Sequence, residues 1–343
     1  MTNGRTTLSK FVIEGQRRRD AADPQLPALI NDIQTACKFI ALAISRGALN
    51  PAETPIAEIA NEIMLRETEW GGQLCGVSST SSADPHEIPA VYPRGPFIVN
   101  FNALEGAATV DLGLSAGTIF SVVRAPDGVR EPAPADFLQA GNRQVAAGFA
   151  LYGSTATMVL TLGEGVNGFT LDREIGAYTL THPGMRIPAD TRDCAVSSRQ
   201  RFAEPPIRHY IEECAEGEAG PRKAEFDLRW TGSLAAEAYR ILVRGGVAIY
   251  PLPSREQGTF GGVHLLHEAN PVAMLVEQAS GAASTGRQRV LDVQPASLHE
   301  RVPLVFGAQE EVRRIDGYHE IFDRGESFTL NTPLFNTRSL FRV

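Results

Sequence analysis

Apolar positions along this chain follow two periods. Leu29, Ile30, Ile33, Cys37, Ile40, Ala41 and Ile44 fall at helical spacing and predict a helix over 28–45, closed by Arg46-Gly47. A shorter helix is expected over Leu8–Arg18, with Asp23–Pro27 breaking the chain after it. Thr54-Pro55 opens a third, with Thr54 as N-cap and Pro55 in the first turn, running to about Glu69. Short β-rich runs then take over at Leu74–Val77, Pro96–Val99, Gly117–Val123, Thr155–Leu162, Phe169–Leu171 and Ala177–Thr181. Asp84–Arg94, with three prolines, reads as a loop or edge hairpin, and the apolar run Gln144–Tyr152 as a helix stopped by Gly153.

The second half has the same mixture. Helices are predicted over Ile207–Cys214, Ser233–Gly245, Val272–Ser280 and Gln309–His319, and strands over Val247–Pro251, Val263–Glu268 and Leu304–Gly307. No internal repeat is visible. Interleaved helices and strands imply an α/β protein with a mixed sheet in each half. The proline-containing, aperiodic stretch Pro183–Asp193 is the expected boundary between domains 1–190 and 191–343.

At 343 residues, 43% hydrophobic and 21% charged, the composition is that of an ordinary globular protein with room for a sizeable core. A net charge of −8 argues against a nucleic-acid partner, since nothing basic is present in excess to neutralise a phosphate backbone. No uninterrupted apolar run approaches the roughly 18 residues of a membrane span, and Met1–Lys10 has no apolar signal core, so a cytoplasmic protein with no membrane contact is expected. Cys37, Cys75, Cys194 and Cys214 are far apart and read as buried or free thiols.

Two glycine motifs lose their familiar meaning in context. Gly163–Gly168 matches Gly-x-Gly-x-x-Gly, and Gly113–Gly117 matches Gly-x-Ser-x-Gly, yet each leads into a β run where the functional device needs a helix. His264 and His267 fall on the predicted strand Val263–Glu268, which would turn them to opposite faces and prevent them from sharing a metal. Glu268 ends that strand, where α/β sheets commonly place ligands. Between the strands around Ile98 and Ile119, Phe101–Asp111 forms a tight connection carrying an amide, an acid and a glycine. Glu58, Glu62, Glu105, Asp111 and Glu268 are the scattered acids; most acids are solvated, but together such groups could supply an oxygen cage for Mg²⁺ and a phosphate.

The segments Gln144–Gly153, Gly168–Asp172, Leu180–Pro188, Tyr239–Gly246, His267–Pro271, Val276–Gly281 and Thr332–Arg342 occur in an order that resembles class I fructose-1,6-bisphosphatases of proteobacterial type, from about Thr6 to Arg342. The resemblance implies a layered αβαβα sugar-phosphatase fold of two mixed-sheet domains, a homotetramer, Mg²⁺ as cofactor and a sugar phosphate as ligand. It places metal contacts at Asn102, Leu104, Glu105 and Glu268, a water-activating acid at Glu62, and substrate contacts at Gly106, Ala107, Ala108, Arg229 and Tyr250. Glu62 and Glu105 would carry the catalysis.

Several positions depart from the pattern that the resemblance implies. The connection Asn102–Ala108 stands where the family has Asp-Pro-Leu-Asp-Gly-Ser-Ser. Asn102 thus replaces a metal-binding aspartate, Glu105 is one methylene longer than the acid expected, and Ala107 and Ala108 replace serines. Ser78–Ser82, where a Ser-Glu-Glu metal motif belongs, has no carboxylate. Trp230 replaces a tyrosine, Val196 an asparagine, Gly262 a lysine and His264 an arginine. Phosphoryl transfer rests on positioning and on charge neutralisation, and two Mg²⁺ ions need several negative oxygen ligands. The resemblance therefore implies a Mg²⁺-dependent phosphatase that releases the 1-phosphate of fructose 1,6-bisphosphate, and the replaced ligands imply weak or altered turnover. The alternative is a catalytically inactive paralogue that binds ligand or assembles with an active subunit.

Overall fold

The computed structural model describes residues 6–18, 23–47, 54–189, 192–197, 204–251 and 261–326. The segment Thr332–Arg342 lies outside them. Two mixed sheets alternate with helices. Strands β1 (Leu74–Ser79), β2 (His86–Glu87), β3 (Phe97–Glu105), β4 (Ala116–Arg124), β5 (Gln144–Tyr152), β6 (Ala156–Thr161), β7 (Val166–Asp172) and β8 (Ala177–Met185) form an eight-stranded sheet in the order β2-β1-β3-β4-β5-β6-β7-β8. All its neighbours are antiparallel except β1 and β3. Strands β9 (Asp193–Val196), β10 (Asp227–Leu228), β11 (Val247–Tyr250), β13 (Ala282–Ser284) and β15 (Leu304–Gly307) form a second sheet in the order β10-β9-β11-β15-β13, and β12 (Val263–His264) pairs with β14 (Arg301–Val302).

Helices α1 (Leu8–Arg17), α2 (Gln25–Arg46) and α3 (Ile56–Thr68) cover one face of the large sheet. Helices α5 (Leu234–Arg244) and α6 (Asn270–Gln278) lie between the two sheets and touch both, while α4 (Pro205–Ala215) and α7 (Gln309–Asp323) close the far side of the second sheet. The result is the expected αβαβα layering. Strand alternation divides the core: Phe120, Val122, Ala146 and Ala150 face α1–α3, whereas Ile119, Ala147 and Phe149 face α5 and α6.

That double burial explains the mistaken helix at Gln144–Tyr152. The segment is β5, a central strand paired with β4 and β6, and its apolar residues fill both layers, so no polar alternation marks it as β. Gly148 is required there, because a Cβ would meet the Phe120 ring at 2.6 Å and the Val159 carbonyl oxygen at 2.7 Å. A smaller correction applies at α3, where Pro55 rather than Thr54 occupies the N-cap position. The prolines of Asp84–Arg94 do flank an edge element, the two-residue β2. Helix α2, at 22 residues, is long and apolar enough to cross a membrane by length and composition, a match that counting uninterrupted apolar runs missed. Its Leu29, Ile33, Ala36, Cys37 and Ile40 are fully buried in the core against the large sheet. All four cysteines are free and buried.

Candidate active site

The large sheet and the second sheet meet at the end of β3. Register slips between Asn102 and Glu105, and Gly106 then takes a left-handed conformation (φ 74°) that starts a short 3-10 turn over Ala107–Thr109. The strand therefore runs further than the connection predicted over Phe101–Asp111, and it carries Asn102, Leu104 and Glu105 to its tip. Leu104 is buried, and its amide donates to Asn102 Oδ1 at 3.2 Å.

The Glu105 carboxylate reaches the N-terminus of α5, where it accepts hydrogen bonds from Ser233 Oγ at 2.6 Å and from the Ala235 amide at 3.3 Å. Ser233 also caps that helix by accepting from the Ala236 amide. A carboxylate at this position complements the helix dipole and satisfies an amide that has no partner within the helix. Burial nevertheless pushes the Glu105 carboxyl up to about 7, against the lowering effect of these donors and with a further upward push from Glu268.

Glu268 approaches from the opposite side. It is 7% exposed and accepts hydrogen bonds from Asn102 Nδ2 at 2.8 Å and from the His264 amide at 2.7 Å. Its carboxyl is raised by burial and lowered by those same donors. The predicted strand Val263–Glu268 is corrected here. Only Val263 and His264 are extended; Leu265–Ala269 form a turn of π-helix that runs into α6. Every residue of that turn is buried, so the sequence offered no polar stripe to separate strand from helix. Glu268 lies in this turn rather than at a strand end.

The expectation that His264 and His267 diverge fails with the strand. Their ring centroids lie 5.7 Å apart, and His299 joins them at 5.7 and 5.5 Å. His267 Nε2 meets Ser78 Oγ at 2.7 Å, and His264 Nε2 meets Arg301 Nη1 at 2.9 Å. Burial lowers the His264 ring to about 4 and the His267 ring to about 3, helped by their cationic and imidazole neighbours, so both are neutral near pH 7.

Tyr250 also reaches the junction. It is 9% exposed, its buried hydroxyl has no hydrogen-bond partner among the described residues, and Glu105 and Glu268 both raise its ionisation, after burial itself. Trp230 packs on its ring at 5.2 Å. The other expected residues are less central. Arg229 is half exposed and pairs with Asp227 at 2.7 Å and Asp193 at 3.4 Å. Glu62 is exposed on α3, while its neighbour Asn61 turns inward to accept from Ser79 Oγ at 2.5 Å. Glu58 and Asp111 are exposed. Of the scattered acids, the structure brings Glu105 and Glu268 within electrostatic reach of each other and of Tyr250, with Asn102 bonded to Glu268. Sequence reasoning set His267 aside with the predicted strand and missed His299; Ser233 was visible as the start of a helix, its bond to Glu105 was not.

A layered α/β protein with a half-buried and a buried carboxylate meeting where its sheets join is the class that the fold and the junction define. Residues 6–183 match the N-terminal domain of fructose-1,6-bisphosphatase, and residues 187–320 match its C-terminal domain. The chain is 45% identical to a class 1 fructose-1,6-bisphosphatase of Methylacidiphilum infernorum (isolate V4), over all of this chain and 99% of the relative. It is 46% identical to that of Hydrogenophilus thermoluteolus, over 98% and 97% of the two chains. Among solved structures, the holo form of Leishmania major fructose-1,6-bisphosphatase superposes with a TM-score of 0.83 at 29% identity, covering 92% of this chain and 99% of that one. The chain belongs to the fructose-1,6-bisphosphatase family.

The donor set does not fit a pair of Mg²⁺ ions. Glu105 and Glu268 supply the two carboxylates, and each accepts two hydrogen bonds from neutral protein donors. Asn102 presents an N–H, not an oxygen, to Glu268. Ser78 and Ser79 at the end of β1 face His267 and Asn61, and bring no negative charge. Mg²⁺ needs near-octahedral oxygen ligation and favours carboxylates, so four N–H and O–H donors around two acids are a poor substitute for it.

Proposed function

We propose that this chain is a sugar-phosphate phosphatase of the fructose-1,6-bisphosphatase type whose turnover of fructose 1,6-bisphosphate is weak. Family membership supports the substrate class. The Asn102–Glu268 hydrogen bond supports the reduced rate: it stabilises the Glu268 charge with a neutral amide, which weakens the attraction of that carboxylate for a cation. Gly106, Ala107 and Ala108 keep their main-chain N–H groups for a phosphate although the two alanines bring no hydroxyls. The Tyr250 hydroxyl, unpartnered among the described residues, offers one donor to a phosphate oxygen, and Arg229 a charge at the rim. Glu62 and Glu105 remain the acids available for activating water. If each metal supplies several kcal/mol of transition-state stabilisation, its loss lowers the rate by factors of ten for every 1.4 kcal/mol or so.

A non-catalytic role as a ligand-binding or assembly subunit is the second reading, favoured by the hydrogen bonds from protein donors that both carboxylates accept. Phosphate release from fructose 1,6-bisphosphate, assayed with saturating Mg²⁺ or Mn²⁺ and repeated with Glu268→Gln, separates the two. Slow, metal-dependent release that vanishes in the variant supports the phosphatase. No release from this substrate or from a panel of sugar phosphates leaves the non-catalytic role. A homotetramer, as the resemblance implies, is read from the solution mass in the same preparation.

A further inference from the structure

We propose that His264, His267 and His299 form a three-histidine site for a transition-series divalent cation of the Zn²⁺ class. One ring nitrogen of each lies within 4.8 Å of the other two. Tetrahedral Zn–N bonds of about 2.0–2.1 Å set such nitrogens roughly 3.4 Å apart, so the rings need to close by about 1.4 Å at most. The three residues come from separate elements. His264 ends β12, His267 lies in the π-helical turn, and His299 precedes β14, which pairs with β12. The π turn is what brings the first two together, because a regular strand would have sent them apart.

The surroundings of the rings favour ligation. Buried imidazole nitrogens normally find a hydrogen-bond partner. His267 is 0% exposed, its Nε2 is engaged by Ser78 Oγ, and its Nδ1 is buried with no hydrogen-bond partner among the described residues. His299 Nε2 lies 3.3 Å from the Ala83 carbonyl oxygen, to which it donates, so the remaining lone pair is on Nδ1. A hydroxyl or carbonyl oxygen on the far nitrogen is the usual outer-shell arrangement that fixes a metal-binding tautomer. His264 Nδ1 is likewise buried, with no hydrogen-bond partner among the described residues. Its Nε2 accepts from Arg301 Nη1, which places the ring proton on Nδ1; Arg301, an exposed side chain, has to release the ring for His264 to bind through Nδ1.

The ligand chemistry selects the ion. Imidazole suits Zn²⁺ and its transition-series neighbours, whereas Mg²⁺ prefers oxygen. Three protein ligands would leave a coordination position for water or for an anionic ligand, the arrangement of open zinc sites. This inference does not depend on the phosphatase reading, because it concerns binding in the absence of substrate.

The test uses the full chain, stripped with a chelator, titrated with Co²⁺ as a coloured substitute and then with Zn²⁺. One equivalent of each per chain is expected, with Co²⁺ giving the visible absorption of nitrogen-ligated, low-coordinate cobalt. A thousandfold excess of Mg²⁺ should not displace it. His299→Ala and His264→Ala, at half-buried positions, should each weaken Zn²⁺ binding at least about a hundredfold, beyond what loss of an outer-shell partner costs. His299→Gln and His264→Gln, which keep the side-chain bulk, serve if the alanine variants lose their native circular dichroism. His182→Ala, outside the cluster, should bind as the native chain does. Absence of stoichiometric binding by the native chain overturns the site, as does native affinity in a folded variant of either His299 or His264.

Discussion

The tip of β3 and the π-helical turn face each other across the junction between the sheets, and they are polar in different ways. The β3 tip offers an amide, one carboxylate and two alanines, with its only charge spent on the N-terminus of α5. The turn offers a buried carboxylate held by N–H donors and the imidazole of His267, which clusters with those of His264 and His299. The same backbone frame therefore presents hard oxygen ligands sparsely on one side and nitrogen ligands in a cluster on the other. The frame depends on apolar packing across both sheet faces, whereas the chemistry depends on a few side chains that packing does not constrain.

Substitutions separate the frame from the junction most clearly by size of effect. Phe120→Ala empties a fully buried ring position in the large sheet and should cost about 3–5 kcal/mol, measured by denaturant unfolding. A cost under about 1 kcal/mol would mean that the sheet core is not what holds the layers together. At the junction, Asn102→Asp exchanges the N–H beside Glu268 for a second carboxylate. Without divalent ions it should destabilise the protein by about 1–3 kcal/mol, and Mg²⁺ should then raise its melting temperature while leaving the native chain unmoved. Equal Mg²⁺ responses from both proteins would break the contrast drawn here. Glu268→Gln keeps the volume and should change stability by only about 1 kcal/mol, yet it should remove whatever metal-dependent phosphate release the native chain has.

The smallest expected effect is a pH dependence. Glu105 is raised from 4.5 to about 7 in the folded chain, so folding favours its protonated form. Its contribution to stability is fully present below pH 4.5 and is lost as pH rises through about 7. Glu105→Gln should flatten the stability profile across that window and be relatively more stable than the native chain above it. An unchanged profile would place the Glu105 carboxylate in contact with solvent.

Much of the fold was legible because most elements have one buried face. The apolar stripe of α2, the start and end of α5, and the strands on either side of Glu105 all stand where the pattern placed them. The failures share one cause. Both β5 and the turn Leu265–Ala269 are buried on all sides, so neither shows the polar alternation that distinguishes strand from helix. That ambiguity mattered little at β5 but hid the histidine cluster, since the two conformations turn His264 and His267 in opposite ways. The acids of the candidate site were legible through resemblance, because no spacing rule links residue 105 to residue 268. Their partners were not, because Ser233, Asn102 and the His264 amide meet them only through tertiary contact.

In the proposed reading, the junction lacks the ligands for a pair of hard divalent ions. Crystals of the full chain grown with Mn²⁺ and fructose 1,6-bisphosphate, and read by the anomalous signal of manganese, test it directly. No pair of ordered ions is expected between Glu105 and Glu268, whatever is found at the histidines. Two fully coordinated manganese ions between those carboxylates, about 4 Å apart as in two-metal hydrolases, would contradict it.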